Sequence, residues 1–246
     1  MKQYEPIREI KFAAKSGFLT KELCDKYFTS GSDDWKNKLW ARLLKKEYFR
    51  KHYSKLAPHV FVLNARSSLV KKLVGDEVVS PPFVSQLEHD EGIASSVLSL
   101  LRDSTITDFR LEPELKKRGS GLKRHYGAEQ KDKYPDALVQ LANEKKTRIA
   151  IELELTKKDP KRYRHIMEAY SSFQRADKVV FVVRDDKITQ TIKQAMRDSY
   201  YPNWERPVGF VRLDDWNKSP SNAPIAFAED TSSMFAMSKN VNEASS

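Results

Sequence analysis

Apolar residues recur at helical spacing along the first third of the chain and then fill two short runs of aromatic and β-branched residues. Ile7, Ile10 and Phe12 mark the first helical stretch. It ends at Gly17, a residue type that readily adopts the left-handed conformation after a helix. Thr20 precedes the second stretch as an N-cap. The pattern predicts helices over 6–15, 21–28, 33–46 and 65–74, and a hairpin formed by 48–53 and 59–63.

The third of these helices combines an apolar side with a basic one. Its first turn is acidic and its last turn is basic, which complements the helix dipole. Helical spacing predicts an inward side formed by Trp35, Leu39, Trp40, Leu43 and Leu44. The predicted outward side consists of Lys36, Asn37, Lys38, Arg42, Lys45 and Lys46. A helix with this surface is suited to neutralising phosphate groups.

The remaining two thirds of the chain mix helical and strand patterns, which predicts the α/β class. The run 179–183 is apolar on both faces, as expected of an interior strand covered by helices on either side. Residues 113–133 form a long basic connection, which fits either a solvated loop or a flap along a nucleic-acid backbone. The predicted helices are 83–102, 160–176 and 187–199, and the predicted strands are 105–112, 134–142, 147–155, 178–184 and 207–213.

Proline punctuation and composition divide the chain. Pro81 and Pro82 break any helix that would cross them, so we place a boundary between 76 and 82. We predict one domain over 1–76, a second over 83–230 and a flexible, Ser-rich tail over 231–246.

The net charge of +10 arises in the first 75 residues. The first 75 residues contain 17 Lys and Arg against 7 Asp and Glu, whereas the other residues contain 27 of each. This asymmetry indicates a module that faces a polyanion, although a solvated basic surface would show the same charge. No apolar run approaches the roughly 20 residues of a membrane helix, and the N-terminus lacks a signal-peptide stretch. We expect a cytoplasmic protein without membrane contact, in which the only cysteine, Cys24, is a core residue.

Three helices followed by a basic hairpin, over residues 5–64, resemble the winged helix-turn-helix modules of DNA-binding proteins. The resemblance implies contact with double-stranded DNA through the third helix and the hairpin. A winged helix used for protein contacts or dimerisation is the alternative. The residues predicted to contact DNA are Lys36, Asn37, Lys38, Arg42, Lys45, Arg50 and Lys51.

Carboxylates gather on two neighbouring strands of the second domain. Asp136 begins one strand, and Glu152 and Glu154 lie on the next. Alternation along the strand points both glutamates to one face, where they repel each other and lose hydration if buried. A cation, a proton or basic partners must offset this cost, and ligation by oxygen alone suits Mg²⁺ or Mn²⁺ better than zinc. We therefore predict a divalent metal site.

The helix that precedes these strands offers a third carboxylate. At 100° per residue, Asp90 falls near the centre of the apolar arc, whereas Glu88 lies outside it. Because buried unpaired carboxylates are rare, Asp90 is the better candidate for joining Asp136 and Glu152 as a metal ligand. A salt bridge from Asp90 to an arginine at the edge of the core would explain the same pattern.

These strands resemble those of the PD-(D/E)xK nuclease superfamily, in which an aspartate on one strand and an acidic-x-lysine motif on the next bind metal and activate water. Asp136 matches the aspartate, and Glu152 matches the second acidic residue. Glu154 stands where the lysine is usual, as in the E-x-E version of some restriction enzymes. Lys157 or Lys158 could supply the missing ammonium from the end of the strand.

The order helix-strand-strand-strand-helix-strand over 83–184 is also that of the superfamily core. The resemblance implies a restriction-endonuclease-like mixed α/β domain that cleaves DNA with Mg²⁺ or Mn²⁺. It assigns catalysis to Asp136, Glu152, Glu154 and Lys157. Arg162 and Arg164 follow the motif and fit either contact with the DNA backbone or a solvated basic turn.

The combination of a basic winged helix with residues 87–90, 135–137, 151–157 and 162–163 is similar to the replication-relaxation proteins of plasmids and integrative conjugative elements. This similarity implies processing of mobile DNA at an origin of transfer or replication, beside a relaxase. One reading is a Mg²⁺-dependent DNA endonuclease. The other is a catalytically inactive accessory factor that uses the nuclease fold as a DNA clamp. A symmetric DNA site would favour a homodimer.

Overall fold

Two units make up the chain in the computed structural model, Met1–Ser95 and Ser96–Ser246. The division lies within a helix, Leu87–Arg102, instead of at the predicted boundary between 76 and 82. The structure describes residues 6–53, 57–75, 77–118, 133–171, 175–198, 206–227 and 231–239.

The elements of the first unit are α1 (Ile7–Ser16), β1 (Leu19–Thr20), α2 (Lys21–Tyr27), α3 (Asp33–Lys45), β2 (Phe49–Tyr53), β3 (Ala57–Leu63) and α4 (Ser68–Val74). A short 3₁₀ helix, Val84–Gln86, precedes α5 (Leu87–Arg102). The elements that follow are β4 (Ile106–Leu111), α6 (Glu112–Lys117), β5 (Ala137–Leu141), β6 (Arg148–Glu154), α7 (Pro160–Ser171), β7 (Lys178–Val183), α8 (Asp186–Asp198), β8 (Val208–Arg212), α9 (Leu213–Lys218), β9 (Ile225–Ala226), β10 (Thr231–Ser232) and α10 (Met234–Lys239).

The first half of α5 belongs to the first unit, where its side chains form hydrogen bonds with α2 and with the residue that caps the N-terminus of α2. The Thr20 hydroxyl donates to Glu91 Oε1 (2.5 Å). The Tyr27 hydroxyl lies 2.8 Å from the Ser95 hydroxyl. Because of these side-chain hydrogen bonds, the first unit extends past Pro81 and Pro82, the prolines that mark the predicted boundary.

The first unit pairs its helices with a small antiparallel sheet in the order β1-β3-β2. All four predicted helices and the hairpin are present, and the structure adds β1, which pairs with β3. In the core, Trp40 stacks on Phe61 with ring centroids 4.2 Å apart. Cys24 is fully buried, as expected. Trp35 is not the inward residue predicted, because 39% of it is exposed at the first turn of α3.

Gly17 ends α1 in the left-handed conformation that the sequence predicts, with φ of +83°. Its N–H donates to Ala13 O (2.9 Å), which closes the last helical turn. A Cβ at this position would lie only 2.3 Å from the carbonyl oxygen of Ser80. Both the backbone conformation and the space therefore require glycine here.

Gly17→Ala is expected to destabilise the first unit by about 2 kcal/mol, because the left-handed conformation and the clash with Ser80 O each oppose a Cβ. Urea unfolding monitored by far-UV circular dichroism measures the change. Gly17→Asn separates the two causes, since asparagine tolerates the left-handed conformation better than alanine but carries the same Cβ. Wild-type stability in the asparagine variant would show that the contact with Ser80 contributes nothing.

The second unit is built on a seven-stranded mixed sheet in the order β10-β9-β8-β7-β6-β5-β4, which confirms the α/β class. Strands β4, β5 and β6 are antiparallel neighbours, whereas β7 is parallel to both β6 and β8. Residues 179–183 of β7 are all buried, as the doubly apolar run predicts. Two helices, α7 and α8, pack on one face of the sheet, where Tyr163, Tyr170 and Ile192 join a core cluster with Phe181 and Phe210.

Three parts of the second unit differ from the sequence prediction. Helix α6 forms at the start of the predicted loop 113–133, of which residues 119–132 lie outside the described ranges. The predicted flexible tail contains β10 and α10, and Met234 and Met237 of α10 are buried. These methionines anchor α10 although the surrounding composition is polar. The structure also adds α9, where Trp216 Nε1–H donates to Ser96 Oγ (2.7 Å).

Within the part of the chain that the structure describes, no helix is both long enough and apolar enough to cross a membrane.

Candidate functional site

Strands β5 and β6 bring Asp136 beside Glu152. The antiparallel register pairs Ala137 with Ile151, so Asp136 lies opposite Glu152 one position further along. The N–H of Leu153 donates to Asp136 Oδ2 (2.7 Å), which holds this carboxylate across the ends of the two strands. The two acidic residues of the sequence motif are therefore neighbours in the sheet.

Glu152 is buried, with 1% of its surface exposed, and both of its carboxylate oxygens have partners. Lys133 Nζ lies 2.8 Å from Oε2. The hydroxyl of Tyr170, from α7, donates to Oε1. Because a buried carboxylate without partners is very costly, Lys133 and Tyr170 make its burial compatible with the fold.

Glu154 repeats this arrangement two residues further along β6. It is 1% exposed, and Lys158 Nζ lies 2.7 Å from its Oε1. The hydroxyl of Tyr163 donates to Oε2 (3.4 Å) and accepts the N–H of Lys158 (3.3 Å). Tyr163 and Tyr170 both belong to α7, so both glutamates face this helix, as alternation along the strand predicts.

Burial and neighbouring charges set the protonation of the cluster. Burial raises the pKa of Glu152 to about 7; the ammonium of Lys133 opposes this rise, and the charge of Asp136 adds to it. Burial also raises the pKa of Glu154, while Lys158 limits the rise. Burial by itself would lower the pKa of Lys133, but the carboxylates of Glu152 and Asp136 raise it above its ordinary value. A carboxyl group that titrates near neutrality can accept or release a proton at physiological pH.

A further carboxylate comes from the end of β4. The register pairs Leu111 with Ala137, and the next residue, Glu112, donates its N–H to Asp136 O (3.0 Å). Glu112 also contributes to the raised pKa of Lys133. We call Glu112, Asp136 and Glu152 the acidic row, because they occupy neighbouring positions across three strands.

The lysines of the site differ from those that the sequence singles out. Lys157 is exposed, and the ammonium bound to Glu154 belongs to Lys158, the alternative candidate. The sequence does not distinguish Lys133, which stands among many cations at the end of the predicted loop 113–133. Its position three residues before Asp136 is the one local signal that could have found it.

Asp90 is not the deeply buried carboxylate that helical geometry predicts. It belongs to the first unit, 26% of its side chain is exposed, and its Oδ1 lies 3.1 Å from His89 Nδ1. Across the described ranges, no three His, Cys, Asp or Glu side chains are grouped so as to hold a metal ion. Of the predicted trio of Asp90, Asp136 and Glu152, the structure brings Asp136 and Glu152 together at β5 and β6.

Arg162 and Arg164 lie on the first turns of α7, on either side of the buried Tyr163. Arg162 is exposed and Arg164 is half-buried. Because neighbouring helical positions point about 100° apart, the burial of Tyr163 directs both arginines away from the core.

The predicted DNA-contacting residues form an exposed basic surface on the first unit. Asn37, Lys38, Arg42 and Lys45 of α3 are exposed, and so are Arg50 and Lys51 of β2. Lys36 is half-buried, with Nζ 3.7 Å from Asp33 Oδ1, and Lys38 Nζ lies 2.6 Å from Asp34 Oδ2. Two of the predicted lysines therefore pair with the acidic first turn, whereas Arg42 and Lys45 lie exposed towards the C-terminal end of α3.

Chemically, the chain thus offers an acidic row with adjacent ammonium groups and, separately, a basic helix. Comparisons with models of protein families, with curated proteins and with solved structures find no match for this chain.

Proposed function

We propose that the chain is a DNA-binding protein whose second unit hydrolyses phosphodiester bonds with Mg²⁺ or Mn²⁺. The observation that carries this proposal is the position of Asp136 and Glu152, side by side on adjacent strands with Lys133 bound to Glu152. Two carboxylates and an ammonium are the chemical groups of the PD-(D/E)xK motif. Here the ammonium comes from Lys133, because Glu154 occupies the usual lysine position.

The order of elements supports the same proposal. Apart from the short helix α6 between β4 and β5, helix α5 is followed by β4, β5 and β6, then by α7 and β7. The first three strands are antiparallel neighbours, and β7 returns parallel to β6 across the connection through α7. This succession is the one expected of the PD-(D/E)xK core, and the acidic row lies at the strand ends where its motif residues stand.

Asp136 and Glu152 fit Mg²⁺ in ligand type and number, because Mg²⁺ prefers oxygen donors and commonly takes one or two carboxylates while keeping its waters. When bound, the ion would supply Lewis acidity and lower the pKa of a coordinated water. The Leu153 N–H on Asp136 Oδ2 and the Tyr170 hydroxyl on Glu152 Oε1 orient the two carboxylates.

Lys133 would supply the positive charge at this site. Its ammonium can stabilise the negative charge on phosphate oxygens, since it already lies beside the acidic row. Burial raises the pKa of Glu152 to about 7, and a carboxyl group must be deprotonated to hold a metal ion, so binding of Mg²⁺ should strengthen as the pH rises through this value.

For the first unit we propose binding to double-stranded DNA. Its order of α1, β1, α2, α3, β2 and β3, with β1 paired to β3, supports the proposal of a winged helix. The exposed cations of α3 and β2 supply the phosphate-neutralising surface, and α3 is the element suited to the major groove.

Arg42→Ala combined with Lys45→Ala is expected to reduce the slope of log affinity against log salt by about 2, because each cation that contacts a phosphate contributes about 1. Fluorescence anisotropy with a labelled duplex measures the slope. Lys71→Ala combined with Lys72→Ala removes the same charge from α4 and should leave the slope nearly unchanged. Equal slopes in the wild type and the α3 variant would show that α3 does not contact the DNA.

A second function, an inactive DNA clamp, is favoured by one specific observation. Both oxygens of Glu152 are occupied, by Lys133 and Tyr170, and Glu154 has Lys158 and Tyr163. The buried carboxylates are thus compensated by the chain's own lysines without a metal ion.

Cleavage assays separate the two functions. Supercoiled and linear DNA are incubated with the full chain in Mg²⁺, Mn²⁺ or EDTA, at protein concentrations where anisotropy shows complete binding. Cleavage that requires the divalent ion supports the hydrolase. Complete binding without cleavage of either DNA form in either metal supports the clamp.

The similarity to replication-relaxation proteins extends the proposal to mobile DNA. We place the chain at an origin of transfer or replication beside a relaxase, where either a nick or a clamp would assist strand separation. Plasmid mobilisation assays with and without the chain test this placement, and equal transfer frequencies would contradict it.

A further inference from the structure

The second unit has a positively charged groove next to β4, β5 and β6, away from the strand ends that carry the acidic row. Its volume is about 320 Å³. The charged residues that line it are Arg110, Arg148, Arg175 and Asp108. Three guanidinium groups against one carboxylate leave the groove with a net positive charge.

The strand register places this groove on the same sheet face as the acidic row. Arg110 pairs with Leu138, and Leu138 pairs with Ala150. Cross-strand partners share a face, as do residues two apart on one strand. Arg110 and Arg148 therefore lie on the face that carries the acidic row.

The spacing between the groove and the acidic row suits a nucleic-acid strand. At about 3.3 Å per residue, Arg110 lies about 7 Å along the edge strand β4 from Glu112. In duplex DNA each strand advances about 3.4 Å per base along the helix axis, so this separation corresponds to about two bases.

The side chains of the three arginines are accessible to a phosphate group. Arg175 is exposed, Arg110 is half-buried, and 42% of the Arg148 side chain is exposed. Arg148 also lies 3.8 Å from Asp177, which orients its guanidinium at the start of β6. Planar guanidinium groups bind phosphate oxygens through two parallel hydrogen bonds.

We propose that Arg110, Arg148 and Arg175 bind backbone phosphates of the nucleic-acid strand whose neighbouring phosphodiester lies at the acidic row. This inference rests on the proposed function, because it assigns the strand-binding subsite of the same active site. It adds a contact surface on the second unit that is separate from α3.

The test uses the full chain with Arg110→Ala and Arg175→Ala together. Arg148 is kept because its backbone N–H donates to Asp177 Oδ2 (2.7 Å) and its side chain also pairs with Asp177. Binding of a fluorescent oligothymidylate is measured by anisotropy in EDTA, over a range of salt. We expect the salt slope to fall by about 1.4, at about 0.7 per phosphate contact on a single strand.

The matched control is Lys187→Ala with Arg197→Ala, which removes two exposed cations of α8 and should keep the wild-type slope. Hydrogen exchange gives a second readout, since the oligonucleotide should slow exchange in β4 of the wild type and not of the groove variant. An unchanged slope in the groove variant overturns the inference.

Failure of the inference and failure of the proposed hydrolysis are distinguishable. If the wild type cleaves DNA only with a divalent ion and the groove variant has an unchanged salt slope, the hydrolase is supported and the groove inference is wrong. If the groove variant has a reduced salt slope and the wild type does not cleave DNA, the hydrolase is wrong and the groove is the strand-binding surface of a clamp.

Discussion

Replacing Lys133 with methionine is expected to destabilise the second unit by about 3 kcal/mol at pH 8, because it leaves the buried carboxylate of Glu152 without its ammonium partner. Tyr170 would still donate to Oε1, but one hydrogen bond does not offset the burial of an unpaired charge. Hydrogen exchange measured by mass spectrometry on peptides from β6 and α7 gives the local unfolding free energy without assuming that the two units unfold together.

The loss should depend on pH, and its sign follows from the raised pKa of Glu152. That pKa is about 7 in the folded chain against an ordinary value of 4.5, so the folded state binds more protons between these values and stability falls as pH rises. Without Lys133 the pKa rises further and the fall continues above pH 7. The difference between wild type and variant should therefore be small at pH 5 and largest at pH 8.

Two controls isolate the carboxylate. Lys187→Met removes an exposed lysine of α8 and should cost little at either pH. Adding Glu152→Gln to Lys133→Met removes the group that titrates, so most of the loss at pH 8 should be recovered. Equal losses at pH 5 and pH 8 would contradict an electrostatic role for Lys133.

Asp136→Asn is expected to reduce divalent-dependent DNA cleavage on the order of 100-fold, because it removes one of the two negative charges available to the metal ion. The asparagine oxygen can still accept the N–H of Leu153, so the ends of β5 and β6 should keep their geometry. Initial cleavage rates with saturating DNA and anisotropy on the same duplex measure activity and binding separately.

Asp198→Asn is the matched control for this variant. Asp198 is exposed at the end of α8 and also accepts an N–H, from Gln194 Nε2 (2.6 Å). It should keep the wild-type cleavage rate within a few-fold. Equal rates for Asp136→Asn and the wild type would remove Asp136 from the active site and favour a catalytic centre elsewhere.

Local pattern was sufficient for most elements of both units. The helices around Leu39 and Ile192 and the buried strand over 179–183 follow from spacing, since 3.6-residue and two-residue periodicities are properties of neighbouring positions. The sequence also predicted helix ends where the capping residue is adjacent to the helix, as with Gly17 after α1 and Thr20 before α2.

Burial was less predictable where an element extends past its core. Trp35 shares the stripe of Leu39 and Leu43, yet it lies on the first turn of α3 and is partly exposed. Asp90 similarly lies on the apolar arc of α5 but near the helix start, where 26% of its side chain is exposed. Periodicity gives the direction of a side chain, whereas the extent of the packed neighbours decides whether that direction is covered.

The sequence by itself determined the α/β class, the order of the longer helices and strands, and the presence of Asp136 and Glu152 at consecutive strands. Only the tertiary structure decided which cations compensate them, because Lys133 lies 19 residues from Glu152 along the chain. It likewise brought Glu112 into the acidic row and Arg110 and Arg148 onto the same face. Contacts between distant residues depend on strand register, which local periodicity does not specify.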